Sequence, residues 1–106
     1  MPITEAVIHA KVTGGKVDFT AHAVFEAAED LVFVDEIEGV LAVGEIIEDD
    51  PDRSRCLVCG RLREGGRLHA VIDYLDWLAD PEANLVVVTV YRPHPDEWID
   101  GGRRRK

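Results

Sequence analysis

Leu85-Val86-Val87-Val88-Thr89-Val90-Tyr91 carries no charge, and four of its seven residues are valine. β-branched content without a helical period predicts a strand rather than a short buried helix. Both faces of that strand are apolar, so it needs neighbours along both edges and cover on at least one face. It is expected to be a central strand, and the other segments take their places from it.

Upstream of it the chain has period two. Residues 45–49, 55–63 and 67–75 alternate as strands, with Asp50-Pro51-Asp52 turning the first into the second. Asp80-Pro81-Glu82-Ala83-Asn84 turns the chain into 85–91, Pro93 and Pro95 end the sheet, and 96–99 is expected to form a helical turn. The front of the chain is helical instead. Thr4 caps a short helix over 4–12 that Gly14-Gly15 stops, and an extended piece follows at 16–19. Thr20 caps a helix over 21–30, and Asp35 opens another over 35–43 that ends at Gly44. Helices followed by consecutive strands predict an α+β fold, with N-terminal helices packed on one face of a four-stranded antiparallel sheet.

A chain of 106 residues makes one domain, here 1–106, with 99–106 expected to be a basic tail without structure. No apolar run reaches the roughly 18 residues that a membrane helix needs, so no membrane association is expected. The opening residues lack the basic and apolar regions of a signal peptide, and two cysteines are no disulfide framework; a cytoplasmic protein is expected. The net charge of −9 argues against nucleic acid as a partner. Its distribution says more. Residues 18–52 hold twelve acids and no Lys or Arg, whereas 53–67 holds five arginines and one acid.

Those arginines sit on a hairpin with two faces. Cys56, Val58, Gly60 and Leu62 share one face of its first strand; Arg55, Leu57, Cys59, Arg61 and Arg63 share the other. A Gly65-Gly66 turn would mix polar and apolar faces. A three-residue loop, Glu64-Gly65-Gly66 with a glycine at positive φ, keeps them apart and pairs Arg61 with His69 and Arg63 with Arg67. One face then packs on the helices. The other presents Arg61, Arg63, Arg67 and His69, with Thr89 and Tyr91 from the next strand, a set that suits a bound anion such as phosphate. The plain alternative is a solvated face whose arginines keep the sheet soluble.

Other motifs are weaker. Cys56 and Cys59 are three apart on a strand, so they point to opposite faces and cannot chelate one ion; no metal and no cofactor is expected. His22 follows a helix cap and either steadies the helix start or acts on a substrate. Asp49-Asp50-Pro51-Asp52 reads as a solvated turn, and Trp77 and Trp98 as seals of the core edge or of a dimer contact.

Phe19-Thr20-x-His22-Ala23, Gly44-Glu45-Ile46-Ile47-Glu48, Cys56-Leu57-Val58-x-Gly60-Arg61, Leu68-His69-Ala70-Val71 and Thr89-Val90-Tyr91-x-Pro93-x-Pro95-Asp96-x-Trp98 follow one another in an order that resembles the bacterial domain-of-unknown-function family DUF4258, over residues 17–98. That family looks like a relative of the RelE and BrnT toxins, small α+β domains of which some cleave messenger RNA with basic and aromatic residues on an open sheet face. The resemblance implies a ribonuclease-like site of His69, Tyr91 and His22, with Arg61 as the phosphate clamp. It also implies two arginines on the helix after His22-Ala23; Glu26 and Asp30 stand there instead, and acids repel a phosphate backbone. Two functions follow: an RNA-binding or RNA-cleaving toxin relative, or a catalytically inactive module that binds a cognate protein or pairs with itself.

Overall fold

The computed structural model describes residues 3–104. Helices α1 (Glu5–Thr13), α2 (Ala21–Glu29) and α3 (Val34–Val43) lead, with the short strand β1 (Val17–Phe19) between the first two. Strands β2 (Glu45–Asp50), β3 (Arg55–Arg61) and β4 (Arg67–Asp73) follow, then the short helix α4 (Leu75–Ala79) and β5 (Leu85–Tyr91). A small hairpin, β6 (Trp98–Ile99) and β7 (Arg103–Arg104), closes the described chain. Among the described residues, no helix is long and apolar enough to cross a membrane.

The α+β class is the expected one, but the main sheet has five strands in the order β1-β5-β4-β3-β2. β1, the extended piece at 16–19, pairs in parallel with β5 through Val17–Leu85, so the sheet is mixed rather than antiparallel throughout. β5 is an interior strand, flanked by β1 and β4, which is why it tolerates so apolar a sequence. β1 is too short to cover all of it. Thr20 takes over there: its N–H donates to Val87 O at 3.0 Å, and its hydroxyl donates to Val88 O at 2.9 Å. The same hydroxyl oxygen accepts from Ala23 N at 3.0 Å and so caps α2. One threonine thus ends a strand pairing and starts the helix that shields the rest of the edge.

The two faces of the β3–β4 hairpin fall as expected: Cys56, Val58, Leu62, Leu68, Ala70 and Ile72 are buried in the core with Ile37, Val40 and Leu41 of α3. Gly60 lets α3 come close, since a Cβ there would lie 2.5 Å from Val40 Cγ1. The register differs by two residues. Leu62 N–H donates to Gly66 O at 2.7 Å and Gly65 N–H to Leu62 O at 2.9 Å, so the three-residue loop is Arg63-Glu64-Gly65. Gly65, at φ 104, supplies the positive φ. Arg61 therefore pairs with Arg67, and His69 with Cys59. A shift of two preserves the faces, so alternation could not reveal it; the two glycines let either loop form.

A bulge at Val88 does comparable work in β5. Val71 pairs with Thr89 but Ile72 with Val87, so the alternation resets. Leu85, Val87 and Val90 are all buried in the core, while Thr89 and Tyr91 join His69 on the opposite face. The helical turn expected at 96–99 lies at 95–97, where His94 O accepts from the N–H of Glu97 at 2.9 Å and of Trp98 at 3.1 Å. Beyond it, where a tail without structure was expected, Trp98 to Arg104 form the β6–β7 hairpin; Arg105 and Lys106 lie outside the described residues.

Candidate functional site

The outer sheet face is closed around His69, where an open one was expected. His69 has no exposed surface, and Leu57 and Cys59 beside it are buried. What covers His69 and Cys59 is the β6–β7 hairpin. Trp98, buried, sets its ring edge-on to the imidazole, 4.4 Å between centroids. Gly101 approaches with its backbone: its carbonyl accepts from His69 Nε2 and from Cys59 Sγ, the latter at 3.4 Å. A side chain would not fit there, because a Cβ on Gly101 would lie 2.7 Å from Arg67 Cγ, and φ is +76.

The protonation of His69 follows from its partners. A carbonyl only accepts, so Nε2 carries the proton. Nδ1 is then a free acceptor for the Tyr91 hydroxyl, 3.3 Å away on the paired residue of β5. Burial, the largest influence, pushes the His69 pKa below its ordinary value of 6.5, and the Gly101 carbonyl only partly offsets this. Burial likewise raises Tyr91. The pair is a neutral imidazole with a neutral phenol.

Arg104 pins the hairpin from outside. Its guanidinium lies 4.5 Å over the Trp98 ring and forks onto Glu48 with two bonds of 2.9 Å. That bond is the main reason Glu48 is held below the usual carboxylate range. Beyond Tyr91 and Arg104 opens a cleft of about 250 Å³, also lined by Asp49, Asp50, Arg53 and Arg55. Its cations are answered locally: Arg53 by Asp50 at 3.5 Å, Arg55 by Asp73 at 3.3 Å and Arg104 by Glu48.

The sequence-chosen residues do not form one pocket. His69 and Tyr91 meet. Arg61, expected opposite His69, instead turns back to Gly65 O at 2.9 Å. Arg63 leaves the face altogether, its N–H donating to Glu36 at 2.8 Å and its guanidinium lying 3.4 Å from Asp35. Arg67 lays its stem on Gly101. His22 is 3.2 Å from Glu26, whose carboxylate also accepts from the Thr89 hydroxyl. The expected cluster of guanidinium groups around the imidazole is thus absent from this geometry; Trp98, Gly101, Arg104 and Glu48 surround it. The readable signal for them was Asp100-Gly101, a turn dipeptide between Trp98-Ile99 and the final arginines.

The family model described as "Domain of unknown function (DUF4258)" matches residues 19–92. The chain belongs to this family. No curated protein and no solved structure matches it. The DUF4258 match takes in α2, α3 and β2 to β5, hence His22, His69 and Tyr91, and stops before the hairpin that covers them.

Proposed function

We propose that this DUF4258 domain is a catalytically inactive protein-interaction module. The observation that carries the reading is the complete burial of His69 under Trp98 and Gly101. A general acid or base must come within hydrogen-bond reach of the proton it moves. Both ring nitrogens of His69 are engaged within the domain. The cations support the same reading, since Arg53, Arg55, Arg63, Arg92 and Arg104 each face a carboxylate of this chain. An RNA backbone would have to displace those partners against a net charge of −9.

A second reading keeps the toxin likeness: an RNA-cleaving RelE/BrnT relative, with His69 as acid/base, Tyr91 and His22 assisting, and Arg61, Arg63 and Arg67 binding phosphate. The contact of a neutral imidazole with Tyr91 favours it. Incubation with single-stranded RNA at low salt separates the two. The module leaves the RNA intact and does not arrest growth when expressed. Cleavage that disappears in His69→Ala would establish the second reading in place of the first.

A further inference from the structure

Two backbone positions between α2 and α3 are filled against local preference. Leu31 follows the C-cap Asp30 in the left-handed conformation, φ 60, where helices favour glycine. Its N–H donates to Ala28 O at 3.0 Å and that of Val32 to Ala27 O at 2.8 Å, so the turn is a regular helix stop that glycine would satisfy without strain. Phe33 is the N-cap of α3, a place for Ser, Thr, Asp or Asn, and makes no side-chain cap bond. Neither side chain is compensated by burial: Leu31 is 78% exposed and Phe33 60%. Phe25, on α2 just before them, is 65% exposed. Breaches of local rules with no folding gain are expected where a surface serves binding.

The surroundings fix the partner's chemistry. Neither α2 nor α3 contains a Lys or Arg, and the exposed acids Glu29, Asp30 and Asp35 lie within four residues of these apolar side chains in the chain. Two arginines reach the segment, Arg92 to the Asp30 carbonyl at 3.2 Å and Arg63 to Asp35 at 3.4 Å, but each is matched by an acid, Glu64 and Asp35, so the Glu29 and Asp30 carboxylates leave it net acidic. A second copy docked on the same face by two-fold symmetry would set these acids against each other. Anionic membranes and nucleic acids are opposed by the same charge. A helix with an apolar stripe flanked by Lys and Arg is complementary to it in both respects.

We propose that the corner formed by Phe25, Leu31 and Phe33 docks a basic amphipathic helix of a partner protein. This rests on the interaction-module reading and assigns that module its face.

The probe is a fluorescein-labelled peptide of Leu and Lys, with leucines at helical spacing, followed by anisotropy. A Ser/Lys peptide of equal charge is the control, and Leu31→Gly/Phe33→Ser is the variant. Because that variant restores the preferred residues, its melting temperature should be unchanged or higher, which separates lost binding from lost folding. The Leu/Lys peptide is expected to bind about tenfold more tightly than the control, and the variant to lose about tenfold in affinity for it. Equal affinity for both peptides, or undiminished binding by the variant, would overturn the proposal. So would sedimentation showing a wild-type dimer that becomes monomeric in the variant, which would assign the face to a second copy. A partner recovered from cells equally by wild type and variant would overturn this face and leave the module reading standing. RNA cleavage dependent on His69 would remove that reading itself.

Discussion

Trp98→Ala removes the largest piece of the cover over His69. Trp98 is 3% exposed. A buried aromatic side chain hides about 150–250 Å², which at about 25 cal/mol/Å² is worth roughly 4–6 kcal/mol; truncations of this kind cost about 3–5 kcal/mol. The other anchors of the hairpin are smaller. The hydrogen bonds that Gly101 O accepts from His69 and Cys59 are worth about 1 kcal/mol each, and the Arg104–Glu48 pair is exposed on both sides, where an ion pair adds little. Losing the indole removes more than those anchors supply, so the hairpin should detach while the five-stranded sheet, with its core on the opposite face, persists. At about 4 °C per kcal/mol for a chain of this length, the melting temperature should fall by roughly 12–20 °C. Diethylpyrocarbonate, read by mass spectrometry, tests the consequence. His22 and His94 are exposed in the wild type and serve as internal standards. The wild-type protein should be modified at those two and protected at His69; in Trp98→Ala, His69 should react as they do. Equal reactivity of His69 in both proteins, fast or slow, would refute the reasoning.

Stability should depend on pH through His69. Its pKa is depressed in the folded state, so on acidification the unfolded chain takes up the proton first. The contribution is whole above the ordinary value of 6.5 and is lost as pH falls from there through the folded-state value. Urea midpoints from about pH 7.5 to about pH 5.5 should decline more in wild type than in His69→Gln; parallel declines would count against a buried neutral imidazole. Gly60→Ala should cost about 1–3 kcal/mol, because its Cβ would press on Val40 Cγ1 at 2.5 Å and on Val40 O at 2.9 Å; an unchanged melting temperature would mean that α3 is free to shift away. Burial and the neighbouring Asp49 push the Cys56 thiol up to about 12, and burial raises Cys59 as well. Neither should react with a thiol-specific disulfide reagent in mildly alkaline buffer until the chain is unfolded, and release of one equivalent of chromophore from native protein would contradict this.

Much of the fold can be read from short-range rules. Thr4 and Thr20 cap helices as their positions predicted, because N-capping is a local hydrogen bond. The two faces of β3 and β4 follow from alternation alone. Their offset does not: Gly65 and Gly66 each suit a positive φ, and what accompanies Gly65 is the reach of Arg63 to Asp35 and Glu36, both distant in sequence. The bulge at Val88 was equally hidden, since in a run of valines a reset of alternation leaves no mark. The site was legible in pieces. His69 and Tyr91 lie on one face as their strands implied. That the face is covered depends on seven residues whose strands are only two residues long, and such pieces gain their stability from docking rather than propensity. A run of arginines after two glycines looks like a solvated tail until Glu48 and Trp98 are seen beneath Arg104.

The claim that bears all this is that the His69 imidazole is shut inside the domain, protonated on Nε2 toward Gly101. Nitrogen-15 NMR of histidine-labelled wild-type protein at neutral pH tests it directly. A protonated Nε2 with a slowly exchanging proton, together with an unprotonated Nδ1 shifted by the Tyr91 hydroxyl, is the predicted spectrum. Ring nitrogens that average between tautomers and exchange freely with water would contradict it and reopen the sheet face to substrate.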